Sequence, residues 1–195
     1  PFGLAAGAVV DDLRISAVPR IARSANSHLF VAGGGWVAAL DGTGRFVAEL
    51  RHPDFVDLRG LSVTAGGRLA VADAGADRLH LLQFDPLSAA FAYVGSLGTG
   101  ELSQPSDVMF VGPDFVLVAD TGNARLALLA DDGEFVAAYT QPLPPYDDLP
   151  LAGPRSLAWD PVFGRLVVSD REPPRVVDLA PVRPYRAWFP VAGRP

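Results

Sequence analysis

Four times along the 195 residues, a short apolar run closes on a small residue, turns, and restarts as another apolar run. The clearest copies end at Ala72-Asp73, Ala119-Asp120 and Ser169-Asp170, and a degenerate one ends at Ala32-Gly33. Successive anchors lie 40, 47 and 50 residues apart. This interval constrains the fold more than any other feature, because a unit of that size cannot bury its own faces and must pack on copies of itself. Three copies keep an arginine five residues after the acid: Asp73 with Arg78, Asp120 with Arg125, Asp170 with Arg175. A carboxylate at a strand end can accept the N–H groups of its turn while the arginine on the returning strand pairs with it. These six residues are expected to be structural clips, since a catalytic group would not recur in every unit.

Each unit also carries an earlier strand, starting near Pro19, Leu58, Ser106 and Arg155. In the third unit Asp132-Gly133 joins two further runs, and that pair suits the positive φ angles of a type I′ hairpin turn. Twenty glycines and 18 prolines make up about one residue in five, above the roughly 12% of an ordinary chain, so turns are many. Helical periodicity beyond two turns is scarce. The expected fold class is all-β: a β-propeller with four blades of four-stranded antiparallel sheet over residues 19–195. Residues 1–18 would be an N-terminal strand or linker.

The string "GELSQPSDVMFVGPDFVLVADTGNARLALLADDGEFVAAY", residues 100–139, resembles an NHL repeat through Leu102, Pro105, Asp107-Val108, the run Val118 to Asn123, Arg125 and Gly133. The resemblance extends more loosely over about residues 19–190. It implies a propeller that usually has six blades, so the four units here would form a compact four-bladed ring, an open arc, or part of a larger ring completed by further sequence or other chains. A second resemblance lies in "GAVVDDLRISAVPRIARS", residues 7–24, which looks like the closing strand of a laminin-G or concanavalin-like jelly roll. That resemblance implies a C-terminal piece of a larger surface protein, extracellular or cell-surface in location. The alternative is one more propeller strand that helps close the ring.

Composition narrows the chemistry. The net charge is −6 and the 16 basic residues are scattered singly, which disfavours nucleic acid or an anionic membrane as the main partner. No apolar window reaches the 18 residues that a membrane helix needs. Cysteine is absent, so disulfides, thiolate metal sites and a Cys nucleophile are excluded. His28, His52 and His80 occupy unrelated positions in their units. The zinc that NHL-like amidating lyases hold through histidines is therefore not expected. The calcium site of gluconolactonase-like propellers lacks its asparagines here, because only Asn26 and Asn123 are present. No G-x-S-x-G elbow occurs. No metal or other cofactor is called for, and no catalytic residue is assigned.

What remains is a recognition or scaffold module that binds a protein or peptide through its loops and channel mouth. The alternatives are a propeller enzyme of amidating-lyase or lactonase type with a channel metal, and a purely structural segment of a fibre or surface assembly. In register, the opening residues of the four first strands are Arg20, Arg59, Ser106 and Arg155. Three guanidinium forks at one mouth suit a carboxylate or phosphate ligand. The plainer reading pairs each arginine with a loop acid such as Asp57, Asp147 or Asp148. An incomplete ring leaves strand edges open, which invites self-association or completion by neighbouring domains.

Overall fold

The computed structural model describes residues 20–23, 28–140, 150–160, 162, 165–171 and 174–179. The N-terminal segment 1–18, with its jelly-roll resemblance, and most of the proline-rich stretch 141–154 lie outside them. The described chain is all β apart from a 3₁₀ turn at Thr121–Asn123. Four antiparallel sheets follow one another as blades. The first is β1 (Arg20–Arg23), β2 (Leu29–Gly33), β3 (Trp36–Leu40) and β4 (Phe46–Arg51). The second is β5 (Leu58–Val63), β6 (Arg68–Asp73), β7 (Arg78–Asp85) and β8 (Ala90–Leu97). The third is β9 (Pro105–Val111), β10 (Phe115–Asp120), β11 (Arg125–Ala130) and β12 (Phe135–Tyr139). In the fourth, β13 (Pro154–Asp160), β14 (Arg165–Asp170) and β15 (Arg175–Leu179) are described. The chain is a four-bladed β-propeller.

Burial follows strand position within the blade. In the first three blades the second and third strands are buried on both faces, as in LFVAG of β2 and RLALLA of β11, whereas β14 alternates. The outer strands alternate, as β8 does through Tyr93 and Val94. Successive blades pack face to face. Phe30, Val37, Leu69, Leu82 and Phe84 fill the first seam, and Leu79, Leu81, Val116, Val118 and Leu129 the second. Leu117, Leu126, Leu128, Leu166 and Val168 fill the third. Full burial of each such side chain contributes on the order of 1.5–3 kcal/mol, so the seams hold the fold together. Among the described residues no comparable packing joins the fourth blade to the first. Ile21, Leu61, Val108 and Leu157, one from each first strand, line a central channel segment of about 240 Å³.

The turn at Asp132-Gly133 differs from the type I′ expectation. Only Gly133 takes a positive φ, +94°, and its N–H donates to the Ala130 carbonyl at 3.0 Å. Ala130 N–H in turn donates to Glu134 O at 2.8 Å. One left-handed glycine closing the loop accommodates an extra residue, and the ladder carries a bulge at Leu128/Leu129.

Candidate functional site

The three acids end β6, β10 and β14, and all lie at one end of the molecule, opposite the first residues of the next strands. Each carboxylate reaches back to the segment entering its own blade's first strand. Asp73 accepts from Val56 N–H and Asp57 N–H, both at 2.8 Å. Asp120 accepts from Ser103 N–H at 2.8 Å, and Asp170 from Gly153 N–H at 2.7 Å. The acid recurs because each blade has the same entry segment to hold, about 17 residues upstream.

The arginine partners differ between blades. Arg125 Nε donates to Asp120 Oδ2 at 2.7 Å, its Nη2 to Glu101 O at 2.6 Å, and its guanidinium lies 4.8 Å over the Phe135 ring. Arg78 departs from the expected pairing: its Nε donates to Ala76 O at 3.0 Å, and Asp73 is bonded instead by His80. The reason is local. Seven residues after the acid stands His80, where the other units have Ala127 and Val177, and the imidazole shares Asp73 Oδ2 with Val56 N–H. The side chain of Arg175 lies outside the described residues.

His80 is fully buried between the first two blades. Its Nε2 lies 3.1 Å from Asp73 Oδ2 and its Nδ1 3.1 Å from Tyr93 Oη. An ionised carboxylate only accepts, so Nε2 carries the proton and Nδ1 accepts the tyrosine O–H. His52 stacks on Tyr93 at 3.9 Å between centroids. Burial opposes ionisation of Asp73 and is the largest single influence on it. The bonds from His80, Val56 and Asp57 together outweigh that effect and hold its pKa at about 2. Burial, then the charge of Asp54, pushes the Tyr93 phenol up. His28 sits apart, against Phe30 and Phe84. Among the described residues no three His, Asp or Glu side chains are grouped to hold a metal.

At the mouth the expected set splits. Arg59, Ser106 and Arg155 are equivalent second residues of β5, β9 and β13. Arg20 is not their equivalent. It pairs with Ala32, as Gly60 pairs with Ala72 and Asp107 with Ala119. The bulges beside Leu58, Pro105 and Pro154 insert one residue in the later blades and move Arg20 a step deeper. The side chain of Arg20 lies outside the described residues. Arg59 is tied to Asp57, with Nη2 2.7 Å from Oδ2. Ser106 is 3% exposed, accepts from Thr121 Oγ1 at 2.6 Å and donates to Arg155 O at 2.9 Å, so it belongs to the third seam. Arg155 is exposed at the rim.

Inside the channel, two side chains that the sequence reading left without a role close the inner edges. Asp107 Oδ2 accepts Leu157 N–H of the next blade at 2.8 Å, and Ser62 Oγ accepts Phe110 N–H at 3.2 Å. Gly60 lets β9 approach, because a Cβ there would overlap the Asp107 backbone. Asp107 belongs to the NHL-like string, which was the available signal for it; Ser62 had none.

No protein-family model matches the chain, and no curated protein matches it. Solved structures do. A streptogramin B lyase is 15% identical, with 84% of this chain covering 54% of that one at a TM-score of 0.53. The Cps50 (Swd1) β-propeller domain of Myceliophteria thermophila is 16% identical, covers 84% and 53%, and has a TM-score of 0.60. An auxiliary nutrient binding protein from Bacteroides thetaiotaomicron is 14% identical, covers 82% and 46%, and has a TM-score of 0.63. At these identities the likeness shows the fold alone. The chain spans about half the length of each.

Proposed function

We propose that the chain is an NHL-like recognition module within a larger propeller, binding an acidic protein or peptide group at the clip-face mouth. The observation that carries this reading is the division of labour at that face. Asp73, Asp120, Asp170, Ser106 and Thr121 are consumed by turns and seams. Arg155 stands exposed beside the channel, and Arg59 is held at the equivalent rim position by Asp57. A guanidinium on a rigid rim offers a planar fork to a carboxylate without a large ordering cost.

The larger ring is supported by the fourth blade. Leu126 of β11 is 1% exposed under the next blade, whereas its counterpart Val176 of β15 is 71% exposed. Across the ladder Ser169 and Ser156 lie opposite Val176, with Val167 and Ala158 at the next places on the same face. A face of this kind ordinarily receives another blade.

Titration of acidic peptides at low and high salt tests the mouth. The expected result is affinity that falls with salt and is lost in the Arg59→Ala, Arg155→Ala double variant. Binding that survives the double variant or ignores salt would overturn the reading.

A further inference from the structure

We infer a second recognition site at the opposite end of the molecule: a pocket between the first two blades that takes one short aliphatic side chain from a peptide or protein segment. It deepens the recognition-module reading but uses none of the mouth residues.

The pocket encloses about 80 Å³ between His28 and Phe30 of the first blade and Gly66, Phe84 and Pro86 of the second. Gly66 is in the β5–β6 turn and Pro86 in the β7–β8 turn, both at the far end from Asp73. Repeat register explains why it is open. His28 precedes the Gly33 anchor by five residues, as Arg68 precedes Asp73. Phe84 N–H donates to Gly67 O just as Asp131 N–H donates to Asp114 O, so Phe84 and Asp131 are equivalent. At the second seam that pair is ionic: Arg68 Nη1 lies 3.1 Å from Asp131 Oδ2 and Nη2 3.3 Å from Asp131 O, which closes the gap. At the first seam the same two places hold two rings, with centroids 5.2 Å apart. Rings cannot interlock as the ion pair does, and a space remains.

Size and lining choose the occupant. The volume is far below the roughly 300–1,000 Å³ of a small-molecule site. It suits one branched aliphatic side chain. Phe30 and Phe84 form an edge-to-face floor at 5.2 Å. The imidazole of His28 makes ring contacts but no hydrogen bond to a described residue. A polar group beside an apolar pocket fits the backbone that carries the side chain. Leu87, 96% exposed in the same turn as Pro86, adds apolar surface next to it.

The test is titration of the full chain with N-acetyl-valine N-methylamide, followed by ¹H–¹⁵N spectra and the His28 ring signals. The isosteric threonine amide is the control. Saturable shifts at Gly66, Gly67 and His28 are expected, about tenfold weaker for threonine because its hydroxyl would be buried without a partner. Gly66→Leu should abolish them. Gly66 lines the pocket, and a Cβ there meets only Thr64 Oγ1 at 3.9 Å, so the backbone accepts a bulky side chain at the pocket wall without overlap. Shifts that never saturate, that persist in Gly66→Leu, or that do not distinguish valine from threonine would overturn the site. The mouth titration, which depends on arginine and salt, would be unaffected.

Discussion

Asp73→Asn isolates what the most heavily bonded acid contributes. In the folded chain Asp73 Oδ1 accepts from Asp57, Gly75 and Ala76 N–H, at 2.8, 3.0 and 3.1 Å. Its Oδ2 accepts from Val56 N–H at 2.8 Å and from His80 at 3.1 Å. Asparagine keeps the shape and one accepting oxygen but turns an NH₂ towards Val56 N–H. His80 can adapt by shifting its proton to Nδ1, which Tyr93 Oη then accepts; Val56 N–H cannot. One orphaned donor and the loss of a charged acceptor cost roughly 1–3 kcal/mol. The ionisation equilibrium gives the same order. A carboxyl pKa held at about 2 against an ordinary 3.8 corresponds to roughly 2 kcal/mol. The folded value lies below the unfolded one, so this stability is complete above the unfolded value of 3.8 and is lost as pH falls through about 2. Chemical denaturation at neutral pH should therefore show Asp73→Asn less stable by about 2–3 kcal/mol, with a Tm lower by roughly 5–10 °C. The gap should narrow steadily as pH falls below 3.8 towards about 2. A variant as stable as the parent at neutral pH, or a gap that ignores pH, would refute the reasoning.

Asp120→Ala should cost on the order of 1–3 kcal/mol in the same assay, because Ser103 N–H loses its acceptor while Arg125 keeps Glu101 O. It should leave any mouth affinity of the folded fraction unchanged, and a stable variant that no longer binds would make Asp120 a ligand residue. Light scattering should show the 195-residue chain self-associating through its fourth blade, and Val176→Glu should suppress that association. A parent that stays monomeric at high concentration would count against an open blade face.

Most of the architecture was legible in the sequence because each blade repeats the same local grammar. Strand starts near Leu58, Ser106 and Arg155 fall within a residue of β5, β9 and β13. The acids ending β6, β10 and β14 stood out because turn chemistry is written in adjacent residues. Two things were not legible. One is register through a bulge, which moved Arg20 away from Arg59 and Arg155, since a bulge adds a residue without any change in composition. The other is exchange of partners within a turn. Nothing local said that His80, pointing back to Asp73 across the turn, would take the bond expected of Arg78.

The bonds across the seams lay beyond reach for a different reason, and they follow a rule of their own. Asp107 bonds Leu157, Ser62 bonds Phe110, and Ser106 bonds Arg155, at separations of 50, 48 and 49 residues. Each separation is one repeat, so each of these three residues is bonded to the strand that duplicates its own. No window of local sequence contains both members of such a pair, yet the repeat register identifies them as soon as the blades are stacked. Carried one step further, the rule places a partner for Ser156 on the first strand of any blade that packs next to the fourth. In the proposed larger ring, such a blade would bring inner-edge N–H groups to Ser156 and apolar side chains to the exposed Val176.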